Sequence, residues 1–128
     1  MSDPDFSESL RSFIREMIPT IDAAGLLVMI VQKPDIAYTA QEAVEAMHPT
    51  AVTAPAARRY LMHFHAQGLV AQRDGESYHY SPASPELDAA ARALAQVYNA
   101  RPVTLVRIIY APKDEKIRSF ADAFRIKK

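Results

Sequence analysis

The stretch from Thr53 to Pro82, TAPAARRYLMHFHAQGLVAQRDGESYHYSP, constrains the fold of this chain more than any other. Ala57, Leu61 and Phe64 recur at i, i+4 and i+7 with Tyr60 beside them, which predicts a helix with one buried apolar stripe. Arg59, Met62, His63 and Ala66 then fall on its solvent side. Pro55 is tolerated only in the first turn of a helix, so the helix begins at about Thr53. Gly68 ends it, because glycine takes the left-handed residue of a helix C-terminus without a Cβ penalty. Leu69 to Arg73 and Ser77 to Ser81 follow as two short strands around Asp74-Gly75, a dipeptide that signals a two-residue hairpin turn. Val70, Tyr78 and Tyr80 supply the apolar and aromatic strand positions.

The residues before this unit complete a helix-turn-helix. Thr39-Ala40-Gln41-Glu42 has the form of a capping box and starts a short helix, Ala40 to Met47, with Ala43, Val44 and Met47 facing inward. His48-Pro49-Thr50 is the turn between the two helices. Upstream, Ile36 to Tyr38 is a short extended piece expected to pair against the hairpin as a third strand. Ile21 to Lys33 is an almost wholly apolar helix for the centre of the domain, stopped by Lys33-Pro34-Asp35. Asp3-Pro4 is expected to open a first amphipathic helix, with Phe6, Leu10, Phe13, Ile14 and Met17 on its buried face and Pro19 as its end.

Beyond the hairpin, Ser84-Pro85-Glu86 starts a long helix to about Ala100, with Leu87, Ala91, Leu94, Val97 and Tyr98 on one side. Val103 to Tyr110 is a dense β-branched run whose period fits either a strand or a buried helix; Pro102 at a first helical position favours the helix. After Pro112, the spacing of Ile117, Phe120, Ala121 and Phe124 predicts a last amphipathic helix ending in the basic Arg125-Ile126-Lys127-Lys128, where cations suit the helix dipole. The expected fold class is therefore mainly α with a small antiparallel β-sheet. One domain spans 1–128, with an N-terminal helix (1–20), a winged helix-turn-helix core (21–82) and a C-terminal helical extension (83–128).

A helix ending in Gly-Leu-Val, then a hairpin with a glycine-bearing turn and Ser-Pro, resembles the recognition helix and wing of winged helix-turn-helix transcriptional regulators of the MarR-like and ArsR-like groups. The resemblance covers about positions 26–82. It implies a bacterial-type DNA-binding regulator, acting as a homodimer on double-stranded DNA. On that reading the residues able to reach DNA lie on the exposed side of the second helix and around its start: Thr50, Thr53, Arg58, Arg59, Met62 and His63, with Arg73 on the wing. Arg58 and Arg59 stand where the family commonly carries arginines; arginine can bridge guanine O6 and N7, and threonine can hold a phosphate. The competing reading is that both arginines are ordinary helix-surface residues.

Charge supports a second alternative. Between positions 34 and 72 the only Lys or Arg residues are Arg58 and Arg59, and the wing tip adds Asp74 and Glu76 beside Arg73. Several phosphate contacts are normal for a DNA site. A winged-helix protein interaction module without DNA binding, with Val103 to Phe124 docking a partner, is therefore the alternative function. The zero net charge hides three basic against eight acidic residues in 1–51 and eight basic against three acidic in 101–128. Opposite ends of this kind either neutralise each other, as terminal helices packed in a homodimer would, or leave a basic tail for a polyanion.

Other chemistries find little support. Cysteine is absent, which removes thiolate catalysis and zinc-cysteine sites. His63 and His65 diverge by about 200° on a helix and cannot share an ion, and His48 and His79 have no ligand-spaced partner, so no metal or other cofactor is expected. No glycine-rich phosphate loop, nucleophile elbow or carboxylate pair in an apolar segment argues for an enzyme. The longest apolar run, Ala23 to Val31, falls well short of the roughly 20 residues that cross a bilayer. With an acidic rather than basic N-terminus, the expected location is the cytoplasm.

Overall fold

The computed structural model describes residues 6–111. Among them the chain forms six helices, α1 (Glu8–Met17), α2 (Ile21–Gln32), α3 (Ala40–Met47), α4 (Ala54–Ala66), α5 (Pro85–Ala100) and α6 (Pro102–Tyr110), and one two-stranded antiparallel sheet, β1 (Val70–Arg73) and β2 (Ser77–Tyr80). The fold is mainly α with a small sheet, and α3, a turn, α4 and the hairpin follow one another in the order of a helix-turn-helix with a wing. No helix among the described residues is long and apolar enough to cross a membrane.

α2 is the centre. Seven of its residues, Ala23, Ala24, Leu26, Leu27, Val28, Ile30 and Val31, are buried, and α5 lies along it. The two helices approach closely at Gly25, where a Cβ would stand 2.8 Å from the Tyr98 hydroxyl. α1 packs on α5 and α6 through Leu10, Phe13 and Ile14, so the N-terminal helix is covered by the C-terminal ones. Phe6 joins the same cluster, with the Arg101 guanidinium 5.9 Å from its ring centre.

Local chemistry explains the boundaries. Thr39 and Glu42 form the full capping box, with the Glu42 amide donating to the Thr39 hydroxyl at 3.1 Å and the Thr39 amide donating to Glu42 Oε1 at 2.9 Å. Ser84 caps α5 ahead of Pro85, and Pro102 occupies the first position of α6, which settles Val103 to Tyr110 as helix. α4 ends in a complete Schellman arrangement: Gly68 at φ +82° donates to the His65 carbonyl at 3.1 Å, and Leu69 donates to the Phe64 carbonyl at 2.9 Å. Leu69 and Phe64 are both fully buried, so the apolar contact that accompanies this motif also fixes where the chain enters β1.

Three expectations change. α1 begins at Glu8, with the Ser7 hydroxyl accepting from the Leu10 amide at 3.2 Å, so the cap is a serine inside the described chain; Asp3 and Pro4 lie outside the described residues. The hairpin pairs Arg73 with Ser77, which leaves a three-residue loop, Asp74-Gly75-Glu76, and not a two-residue one. Asp74 (φ 49°) and Gly75 (φ 80°) are both left-handed, a conformation these residue types tolerate, and the extra residue closes the turn through the Gln72 side-chain amide donating to the Gly75 carbonyl. The expected third strand is a single antiparallel bridge: Tyr38 and Tyr78 exchange both backbone hydrogen bonds, at 2.9 and 2.8 Å. The expected helix over Ile117 to Phe124 lies outside the described residues.

Candidate nucleic-acid interface

α4 is held on two flanks and open between them. Ala57, Leu61 and Phe64 face the core. On one flank, Tyr60 accepts a hydrogen bond from the Thr20 hydroxyl at 2.9 Å, while His63 places Nε2 3.1 Å from the Met17 carbonyl at the end of α1. Because a carbonyl only accepts, that ring nitrogen carries the proton. On the other flank, His65 meets the Tyr78 ring edge-on at 5.7 Å between centroids, and Arg58 lines a small cleft of about 70 Å³ with Gln72, Glu76 and Tyr78 of the hairpin. Between these flanks Pro55, Arg59, Met62 and Ala66 are exposed, Met62 to 51%.

The seven DNA-facing residues named from sequence therefore divide. Arg58, Arg59 and Met62 are exposed on α4, and neither guanidinium has a hydrogen-bond or ion-pair partner among the described residues. Arg58 sits on the wing side of the face and Arg59 in its middle. Thr53 is exposed at the start of α4, but its hydroxyl oxygen caps the helix by accepting from the Ala56 amide at 3.2 Å; its O–H remains able to donate to a phosphate. Thr50 is half-buried in the turn, its oxygen accepting from the Val52 amide at 3.1 Å. Arg73 is exposed at the base of the loop, next to Asp74 and Glu76, which are exposed too.

His63 is less exposed than its helical position predicts. Helical spacing puts it at the border of the polar arc, and α1 packs over that border, so the ring is partly buried and committed to the Met17 carbonyl. It ties α4 to the end of α1 and stays partly exposed at the margin of the open face.

Sequence reasoning also missed what holds the face in place. The α1–α2 junction receives three distant side chains: His63 at Met17, Tyr60 at Thr20, and Tyr110, whose hydroxyl accepts from the Ile21 amide at 2.9 Å. Thr20 serves twice, since its oxygen also caps α2 by accepting from the Ala23 amide. No local pattern announces contacts of this separation; the only hint is a tyrosine and a histidine on the margin of an otherwise apolar stripe. The wing is tied down separately. Tyr80 donates to Asp88 Oδ1 at 2.6 Å, and the same oxygen accepts from Arg92 Nε at 2.9 Å. Burial, reinforced by Asp88, holds the Tyr80 phenol above its ordinary value of 10.0, and the Tyr80 hydrogen bond in turn pulls the Asp88 carboxyl below 3.8.

The electrostatics are mixed. Over residues 34–76 three arginines (Arg58, Arg59, Arg73) stand among five carboxylates (Asp35, Glu42, Glu45, Asp74, Glu76). Among the described residues no group of three or more His, Asp or Glu side chains converges as a metal site. A second concavity, an open groove of about 410 Å³ between the end of α2 and α5, is lined by Val31, Gln32, Pro34, Arg92 and Asn99 among others, with no cluster of charge. No family model, curated protein or solved structure matches the chain.

Proposed function

We propose that the protein is a DNA-binding transcriptional regulator of the winged-helix type, acting in the cytoplasm as a homodimer joined through its terminal helices. One observation carries the reading: α4 keeps an uncovered face bearing Arg59 and Met62, with Arg58 toward the wing, while both of its flanks are anchored. A helix held in this way after a turn, beside a hairpin, can enter a major groove and put an arginine against base edges. Two arginines per protomer supply few phosphate contacts, so a dimer that doubles them is part of the proposal, and the eight basic residues of 101–128 supply the remaining positive charge.

Titration of the full chain into labelled duplex DNA between about 50 and 200 mM salt tests this. Affinity should fall steeply with salt, and Arg59→Ala should cost about 1 kcal/mol or more and lower the salt slope by about one. Unchanged affinity and slope would remove α4 from the interface.

A second reading, a winged-helix interaction module without DNA binding, is favoured by the wing tip, where exposed Asp74 and Glu76 outnumber Arg73. Retrieval of a stable protein partner, with no duplex binding even at low salt, would select it.

A further inference from the structure

α4 contains no Asp, Glu, Asn, Gln, Ser or Thr. Its uncovered face, Pro55, Arg59, Met62 and Ala66, therefore offers one group of hydrogen-bond donors and apolar surface, with no acceptor beyond the weak Met62 thioether. The two histidines of α4 stand on the flanks, His63 at the Met17 carbonyl and His65 against the Tyr78 ring. Met62 is the one large hydrophobic side chain of α4 that is exposed. It follows Arg59 at i+3, so the two Cβ atoms stand about 5–6 Å apart, one to two base-pair steps of roughly 3.4 Å.

We propose that Met62 is a specificity-determining residue: it meets the C5-methyl group of a pyrimidine in the major groove, one or two base pairs from a guanine held by Arg59. The inference rests on the DNA-binding reading above and narrows the duplex that α4 accepts. The donor and acceptor pattern of the base edges carries it. Adenine shows an N6 amine and cytosine an N4 amine, and selecting either takes an acceptor that this face does not hold. Guanine shows two acceptors, O6 and N7, which match a guanidinium fork. A C5-methyl group, on thymine or on 5-methylcytosine, needs no polar partner, only an apolar side chain that leaves water with it. Met62 is flexible enough to follow such a group, and Ala66 beside it adds no bulk that would hold the helix off the bases.

Selection of tight binders from a random duplex pool by the full chain provides the site, and single-group changes within it provide the test. The selected duplexes should carry a guanine and a thymine within two base pairs of each other. Uracil in place of that thymine removes only the methyl group; it should weaken binding by about threefold or more for the unaltered chain and leave Met62→Ala unaffected. Cytosine and 5-methylcytosine at the same position, each opposite guanine, distinguish the methyl group from the base that bears it, and 5-methylcytosine should bind more tightly by a similar factor. Enrichment of no sequence, equal affinity in either comparison, or the same losses in Met62→Ala would overturn the proposal while leaving DNA binding in place. Absence of duplex binding even at low salt would remove both.

Discussion

α4 and α6 each leave one helical face open, and the two faces differ in kind. The α4 face mixes Arg59 with Met62, Pro55 and Ala66; the α6 face is Val103, Val106 and Tyr110. Water solvates the first at little cost, because an arginine keeps its head group hydrated above its own methylene stem. The second withdraws apolar surface from nothing and gains only when something covers it. The comparison teaches that exposure alone does not mark a binding face. A charged, anchored face is already well solvated, whereas an apolar one gains free energy only by being covered.

Substitutions can break or sharpen that contrast. The largest effects should come from the inner sides, where both helices are alike: Leu61→Ala in α4 and Leu105→Ala in α6, each fully buried, should each lower unfolding free energy by about 2–5 kcal/mol in urea titrations. The outer sides should both matter little. Val106→Ala and Met62→Ala, both at exposed positions, should each change stability by less than about 0.5 kcal/mol. A cost of about 1 kcal/mol or more at Val106 alone would show that the α6 stripe is covered.

The smallest effect concerns the wing beside α4. The Tyr80 hydrogen bond, followed by Arg92, lowers the folded-state carboxyl of Asp88 below its ordinary 3.8. A lowered carboxyl contributes stability that is present above the unfolded value and lost as pH falls through the folded one. Asp88→Asn should therefore show a shallower drop in Tm than the unaltered chain on acidification below 3.8, and parallel curves would show that the tie contributes nothing.

Much of this was legible in sequence because it is local. Thr39 with Glu42, Gly68, Ser84-Pro85 and Pro102 each fix a boundary through atoms within a few residues of themselves, and the structure places those boundaries accordingly. The candidate face was legible only in part. Arg58, Arg59 and Met62 follow from helical period, but His63 lies at the edge of the arc, and its side is decided by α1, which is remote in sequence. The same holds for Tyr60 on Thr20 and Tyr110 on Ile21. The hairpin loop was misjudged by one residue because Asp74-Gly75 suits the left-handed positions of either a two- or a three-residue turn.

The claim that DNA meets the open face of α4 can be tested at the residue itself. Met62→Cys, unique in a chain without cysteine and exposed on that face, takes a benzophenone label that reacts with whatever lies against it. Irradiated with duplex DNA at low salt, it should form protein–DNA adducts at several times the yield of the same label at Ser12→Cys, exposed on α1. Equal yields from the two positions, or no adduct at Met62→Cys while DNA is bound, would contradict the account.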